Sequence, residues 1–400
     1  MKLAAKLALS LALGIATTAS PVWADFNDAP PNAEGQKPAF EGQTRAPVIA
    51  PISVTTTKVA EGLQNPWGMA LLPDGSLLVT ERDGQMRLVA PDGKVGPPIK
   101  GVPKVDARQQ GGLLDVAVAP NFAETRQIWF TFSEPRFRKR NNTAVGTAKL
   151  SADGTQLEDV QTLFSQSPSW ASTMHFGSRL VFDREGKLFV TTGERSYEEP
   201  RVLAQDLTTH LGKVLRLDPT NGAPADPAGH FPDVSGAKPE IWSYGHRNIQ
   251  AAALDPATGK IWTVEHGPQG GDELNQPEAG KNYGWPVITY GEDYSGSPIS
   301  AGETAKDGME QPVYYWDPVI APSGMAFYQG EMFPDMKGDI LIGALRGQAL
   351  VHLKMKDGRV TGEQRLVEGI GRVRDVEVAP DGSILLLLDG ENGALVRLTR

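Results

Sequence analysis

The chain has 400 residues and no cysteine. Disulfides, thiol nucleophiles and cysteine-based zinc sites are excluded together. Beyond the first two dozen residues no apolar run is long enough to cross a membrane. Long helical periodicity is also missing, so helical solenoids and dinucleotide-binding α/β folds fit poorly. There is no long basic run, and the formal net charge is −9. Binding to nucleic acid or to an anionic membrane through bulk charge is therefore not expected. Without disulfides, stability has to come from core size, and the chain is long enough to build a large core.

What is present begins with a secretory signal. Lys2 and Lys6 form a basic start, Leu7 to Ala16 an apolar stretch, and Val22-Trp23-Ala24 a small-x-small cleavage site. The stretch is too short and too close to that site for a membrane span. Residues 1–24 read as a signal peptide and the mature chain as a periplasmic protein beginning at Asp25. Loss of Lys2 and Lys6, the only charges removed, takes the net charge from −9 to −11. Residues 25–52 carry Pro30, Pro31, Pro38, Pro47 and Pro51 and show no apolar periodicity. They read as an extended or disordered arm serving as a spacer.

Residues 53–400 show one recurring unit: a turn, a short apolar strand, then a polar residue. Pro73-Asp74-Gly75 precedes Ser76–Thr80, and Pro120-Asn121-Phe122 lies ahead of Gln127–Phe132. Arg184-Glu185-Gly186 precedes Lys187–Thr191, and Pro256-Ala257-Thr258-Gly259 precedes Lys260–Val264. Met336-Lys337-Gly338 precedes Asp339–Gly343, and Pro380-Asp381-Gly382 precedes Ser383–Leu388. Six irregular repeats of several short strands predict an all-β, six-bladed β-propeller. The strand near Val54–Val59 and the C-terminal strand Ala394–Arg400 are expected to close one blade between them. Longer insertions around Arg136–Asn142, Ser165–Met174, Arg195–Leu211 and Tyr290–Pro318 are expected on one face, around a ligand.

Three signatures stand close together: Tyr-Gly-His-Arg-Asn at 244–248, Glu-His-Gly-Pro-Gln-Gly-Gly-Asp-Glu at 265–273, and Asn-Tyr-Gly-Trp-Pro at 282–286. The first ends a strand with a cation and an amide, suited to an anionic or carbonyl-rich ligand. The second is a Gly-rich loop that can turn backbone carbonyls inward, as an oxygen-seeking cation requires. Either is equally readable as a tight interstrand loop. Of the six histidines, His175 is singled out because it follows a Ser-rich insertion and lies just ahead of a strand at Arg179–Phe182. Arg372 and Arg374 alternate along a strand-like segment and so share a face, which for such a pair alone is more often a solvated one.

From about Asn65 onward the chain resembles the soluble aldose sugar dehydrogenases that use pyrroloquinoline quinone (PQQ), a set that includes soluble quinoprotein glucose dehydrogenase. Besides the three signatures, the resemblance rests on Gln109-Gln110-Gly111-Gly112-Leu113-Leu114, His175 to Leu180, Gly212 to Leu217, and Arg372-Val373-Arg374-Asp375. It implies an enzyme that oxidises a small aldose at C1, with hydride passing to PQQ and electrons to an external acceptor that is not identified. His175 is then the base, and Arg247 the cation beside the quinone oxygen. Asn248, Arg346, Arg372, Arg374 and Gln110 are implied around the cofactor. Arg346 stands where the family has a lysine. Gln110, His175 and Trp316 are implied near the sugar, with Tyr314 and Tyr315 adjacent.

The resemblance also implies calcium (Ca2+) held by the backbone carbonyls of Gly267 and Pro268, and a second calcium site using Glu273 and Asp293. His246 and His266 are expected in supporting roles. In glucose dehydrogenase an aspartate precedes the catalytic histidine and orients it. Here Met174 stands in that place, so His175 needs another acceptor or has lower basicity. The alternatives are a calcium-dependent lactonase on a six-bladed propeller and a non-catalytic binding propeller.

Overall fold

In the computed structural model, which describes residues 26–50 and 52–400, each recurring unit becomes the second strand of a blade. The signal segment expected at 1–24 lies outside the described residues. β1 (Thr55–Leu63) is set aside for closure, and β2 (Pro66–Leu71), β3 (Leu77–Glu81) and β4 (Gln85–Val89) form the first blade. β5 (Leu113–Val118), β6 (Gln127–Pro135), β7 (Asn141–Leu150) and β8 (Leu157–Ser165) form the second. β9 (Gly177–Phe182), β10 (Leu188–Thr192), β11 (Lys213–Leu217) and β12 (Ile241–Tyr244) form the third. The fourth contains β13 (Ile249–Leu254), β14 (Ile261–Glu265) and β15 (Asp272–Asn275). The short β16 (Lys281–Asn282) crosses back to pair parallel with β12, and β17 (Tyr314–Trp316) completes the fourth blade. β18 (Pro322–Phe327), β19 (Ile340–Ala344), β20 (Ala349–Lys356) and β21 (Arg359–Leu366) form the fifth. β22 (Val373–Val378), β23 (Ile384–Leu388) and β24 (Gly393–Thr399) form the sixth, and β1 pairs antiparallel with β24. The first and last strands of the domain thus share a blade and close the ring.

The second strands read as continuous apolar runs because neighbouring blades cover both of their faces. β3, β10, β14 and β19 are buried along their whole length. A threonine recurs within them and ties blade to blade. Thr80, Thr131 and Thr191 each accept an N–H bond of 2.9 Å from the first strand of their own blade, at Gly68, Asp115 and Arg179. Each then donates to a carbonyl of the next blade, at Leu114, Ser178 and Ile249. Left unpaired at such depth, each hydroxyl would cost about 1–3 kcal/mol.

Residues 26–50 do not hang free as a spacer. Gln43 is fully buried, donates to the Pro312 carbonyl at 3.0 Å, and accepts from Tyr290 Oη at 3.0 Å. Asp317 accepts the N–H groups of Asn32 and Ala33, and Val48 bridges to Glu363 on β21. The composition signalled a lack of regular structure but not this docking, which uses side-chain and backbone polar groups rather than an apolar stripe.

Candidate active site

The first strands of the blades line the axis, and at their N-terminal ends lies a cavity of about 210 Å³. Its lining includes Arg82, Arg372 and Arg374, the amides of Gln110 and Gln250, and Trp67 and His266. Arg374 is buried, with Nη1 donating to Gln250 Oε1 at 3.2 Å and Nη2 lying 3.4 Å from Asp389 Oδ2. Arg372 is half-exposed and pairs with the same oxygen at 3.2 Å. Nε of Arg82 and Nε of Arg374 are buried without a hydrogen-bond partner among the described residues. Burial, partly offset by Asp389, brings the Arg374 guanidinium down to about 10, and the charges of Arg372, Arg179 and Arg82 press in the same direction. Three crowded cations with open donors form a cradle for a multiply anionic ligand.

His175 sits beside this cavity, immediately before the lining residues Phe176 and Gly177. Its Nδ1 is 2.9 Å from Glu194 Oε1, in the loop that follows β10. The carboxylate fixes Nδ1 as the N–H and leaves Nε2 with the lone pair. Glu194 therefore supplies the acceptor that the sequence left open at Met174. The His175 backbone is left-handed at φ 52°, a strain on the order of 1–3 kcal/mol for a non-glycine residue. Two neighbours hold it there: Gln110 Oε1 accepts the His175 N–H at 2.9 Å, and Arg195 Nη1 donates to its carbonyl at 3.3 Å. Gly193 is obligatory for the approach, because a Cβ there would lie 2.1 Å from the His175 carbonyl oxygen. Burial lowers the imidazole pKa; Glu194 opposes this, while Arg247 and Arg195 reinforce it. The ring is thus neutral at neutral pH and able to accept a proton.

Arg247 and Asn248 leave the end of the third blade and enter the site side by side. Arg247 Nη1 donates to the His266 carbonyl at 3.0 Å, its guanidinium lies 5.2 Å from the Trp285 ring centre, and its Nε has no partner among the described residues. Asn248 Oδ1 accepts from the Gly177 N–H and from Gln250, each at 3.2 Å. Across His266, Arg247 lines a second space of only about 10 Å³ with Glu265, Gly267 and Glu273. The Gly267 loop is shaped by Asp272, whose carboxylate accepts from the N–H groups of Gly267, Ile320 and Ala321 at 2.7–2.8 Å. Glu273 is pushed up to about 8 by burial and by the neighbouring charge of Glu265. A cation in that space would relieve this repulsion, so the donors there fit a hard ion. Among the described residues no group of three or more His, Asp or Glu is arranged to hold a metal by side chains alone.

Several expected residues lie elsewhere. Trp316 is buried in the core, its Nε1 donating to Glu363 at 3.1 Å, and does not line the cavity. Pairing of β17 with β15 turns the side chain away from the axis, and Tyr314 and Tyr315 are likewise buried. Arg346 is exposed in the turn after β19, next to the lining residue Leu345. Asp293 is bound to Ser295 and to Arg201, 3.5 Å away, and shares neither a contact nor the small space with Glu273. His246 is fully buried between Ser243 and Glu265 and stacks on Tyr283. His266 donates Nε2–H to the Pro322 carbonyl at 2.8 Å, and burial brings it down to about 3. Glu194, Arg195, Arg82 and Gln250 were missed by the sequence reading. The only available signal was a charged pair, Glu194-Arg195, directly after a strand.

The architecture and the cavity define a propeller with a cationic axial pocket beside a carboxylate-held histidine. Residues 63–397 match the Glucose / Sorbosone dehydrogenase family. The aldose sugar dehydrogenase YliI of Escherichia coli (strain K12) is 42% identical over 354 residues, covering 88% of this chain and 94% of that one. The crystal structure of the soluble aldose sugar dehydrogenase of E. coli in its apo form superposes with a TM-score of 0.83 at 42% identity, covering 87% of this chain and 99% of that one. The PQQ-bound aldose sugar dehydrogenase of Streptomyces coelicolor gives 0.71 at 29% identity, with coverage of 87% and 99%. The chain belongs to the Glucose / Sorbosone dehydrogenase family.

Proposed function

We propose that this protein is an exported sugar dehydrogenase that oxidises aldoses at C1 to lactones, with PQQ and calcium in the axial site. The observation that carries the reading is the cradle of Arg82, Arg372 and Arg374, with open buried donors, beside a neutral histidine whose Nδ1 is held by Glu194. The solved PQQ-bound relative supports the identity of the cofactor. When bound, the quinone supplies a two-electron acceptor for the hydride leaving C1.

The remaining chemistry belongs to this chain. His175 Nε2 takes the proton from the C1 hydroxyl, and Glu194 stabilises the imidazolium that results. Arg247, anchored on the His266 carbonyl and lying over Trp285, would offset negative charge on the bound cofactor. Asn248 and Gln250 fix the floor between blades three and four. Arg374 and Arg372 would hold the carboxylates of the cofactor, and Gln110 fixes the His175 backbone. The carbonyls of Gly267 and Pro268, with Glu273 lining the same small space as Gly267, would hold calcium.

The test is the absorption spectrum and dye-linked aldose oxidation of the purified protein before and after addition of quinone with calcium. Activity is expected only with both. Equal activity after verified removal of calcium would remove the metal from the proposal. Hydrolysis of gluconolactone without quinone would favour a lactonase, and no turnover despite quinone binding a non-catalytic propeller. Export is tested by the N-terminus of the protein recovered from the periplasm, expected at Asp25.

A further inference from the structure

The hairpin joining β6 to β7 ends in Arg136-Phe137-Arg138-Lys139-Arg140, and all five residues are exposed. Phe137, at 83%, is the most exposed large apolar residue among those described. Arg136 is neutralised by Glu134 at 2.5 Å. Arg138, Lys139 and Arg140 form no ion pair among the described residues; Arg138 lies over the Phe137 ring at 5.4 Å and Arg140 over Trp170 at 5.7 Å. Arg138 and Lys139 are both left-handed, at φ 58° and 59°, so the tip is a tight turn. Three cations without ion-pair partners among the described residues, beside an exposed aromatic ring, are a local exception on a chain of net charge −9.

The tip is also fixed to the mouth of the site. Arg108, two residues before Gln110, donates to the Lys139 carbonyl at 3.0 Å. Asn141, the first residue of β7, donates to the Ser172 carbonyl at 2.8 Å, and Arg195 joins Asn141 and Ser172 to the His175 carbonyl. Anything seated on the hairpin therefore stands over the rim formed by Gln110 and the loop leading to His175.

We propose that this hairpin is the docking site for an acidic protein that carries electrons one at a time. The inference rests on the dehydrogenase reading above. Oxidation of one aldose to its lactone releases two electrons and two protons; two carriers take the electrons in turn and the protons pass to solvent. Charge complementarity selects an acidic protein face, and Phe137 supplies the small apolar centre that such contacts use. An anionic bilayer fits less well, because its extended charged plane would also face the acidic remainder of this chain, whereas a protein patch need meet only the hairpin.

The probe is one haem protein in two charge states: native cytochrome c, which is basic, and its succinylated form, which is acidic. With the holoenzyme at low salt, the succinylated form is expected to be reduced with the higher kcat/KM, falling steeply as salt rises. The double variant Arg138→Glu/Lys139→Glu should lose about tenfold or more of that rate, as removal of steering does. Its turnover with neutral benzoquinone should be unchanged, and Phe137→Ala should lose less. No turnover with benzoquinone in the parent would overturn the dehydrogenase reading itself. Full benzoquinone turnover with no preference for the acidic cytochrome, or with the preference kept in the double variant, would overturn the docking site alone. Charge-dependent binding to phosphatidylglycerol vesicles, lost in the double variant while cytochrome reduction persists, would assign the hairpin to a membrane instead.

Discussion

Two sets of arginines share the axis of the propeller, and Trp67 lies between them. Arg179, on β9, has its guanidinium saturated: Asp115 and Asp375 each stand 3.0 Å away, and the Gln250 carbonyl accepts from Nε at 2.6 Å. It lies 4.4 Å from the Trp67 ring centre. Arg374 approaches the same ring at 5.8 Å, yet its Nε, like that of Arg82, is buried without a partner among the described residues. Arg179 and Arg374 are alike in residue type and depth. The difference is in the carboxylates: one arginine takes two for itself, whereas Arg372 and Arg374 share one oxygen of Asp389. A saturated buried cation is a structural tie between blades; an under-satisfied group is one that awaits a ligand.

The comparison is broken most directly by removing the tie. Arg179→Met leaves Asp115 and Asp375 facing each other in the channel, and stability is expected to fall by about 3–5 kcal/mol, as for other broken buried ion networks. The check is the denaturant midpoint of the apo protein. A midpoint equal to the parent's would mean that Arg179 ties nothing.

His175→Ala should leave folding and quinone titration near the parent's while turnover falls about 10²–10⁴-fold, the usual share of a general base. Aldose oxidation at the parent rate by the loaded variant would end the assignment. Arg374→Ala comes next, with quinone affinity falling by one to two decades, roughly 1.5–3 kcal/mol for a charge-assisted bond. Arg372→Ala should cost less, because its side chain is half-exposed and solvent screens it. Equal quinone midpoints in both variants and parent would return the pair to a solvated strand face. An unfolding midpoint shifted as far as in Arg179→Met would erase the contrast between the two sets.

What could be read beforehand follows from what each feature depends on. The six second strands were legible because burial on both faces forces short apolar runs, and turn residues bound them. Arg247, Arg372 and Arg374 stand in motifs held within a few residues, and the structure brings Arg372 and Arg374 to the cavity and Arg247 to the smaller space. Glu194 was not: it reaches His175 across 19 positions, through a left-handed backbone that no local preference announces. Arg82 joins Arg374 only because the ring closes. The resemblance implies Trp316 near the sugar, but an aromatic residue in a loop carries no record of direction, and its pairing opposite Asp272 turns it away from the axis. Arg179 reads merely as the start of a strand, since its partners come from three other blades.

The smallest effect separates orientation from charge at the base. Burial, Arg247 and Arg195 lower the His175 pKa, and Glu194 holds it up. The base works in its neutral form, so the parent's kcat/KM should be full at neutral pH and fall on the acid side, through a pKa below the ordinary histidine value. Glu194→Gln keeps an oxygen to accept Nδ1–H but removes the negative charge that favours the imidazolium. The folded pKa then drops further, and the acidic limb moves to lower pH. The plateau should fall modestly, because a weaker base drives proton transfer less. Glu194→Ala, which also frees the ring, should lose more turnover than Glu194→Gln. Met174→Asp should shift the limb little, because Nδ1 is already engaged. An acidic limb that stays fixed or moves upward in Glu194→Gln would show that the carboxylate does not set the charge of His175, leaving it only a place in the packing.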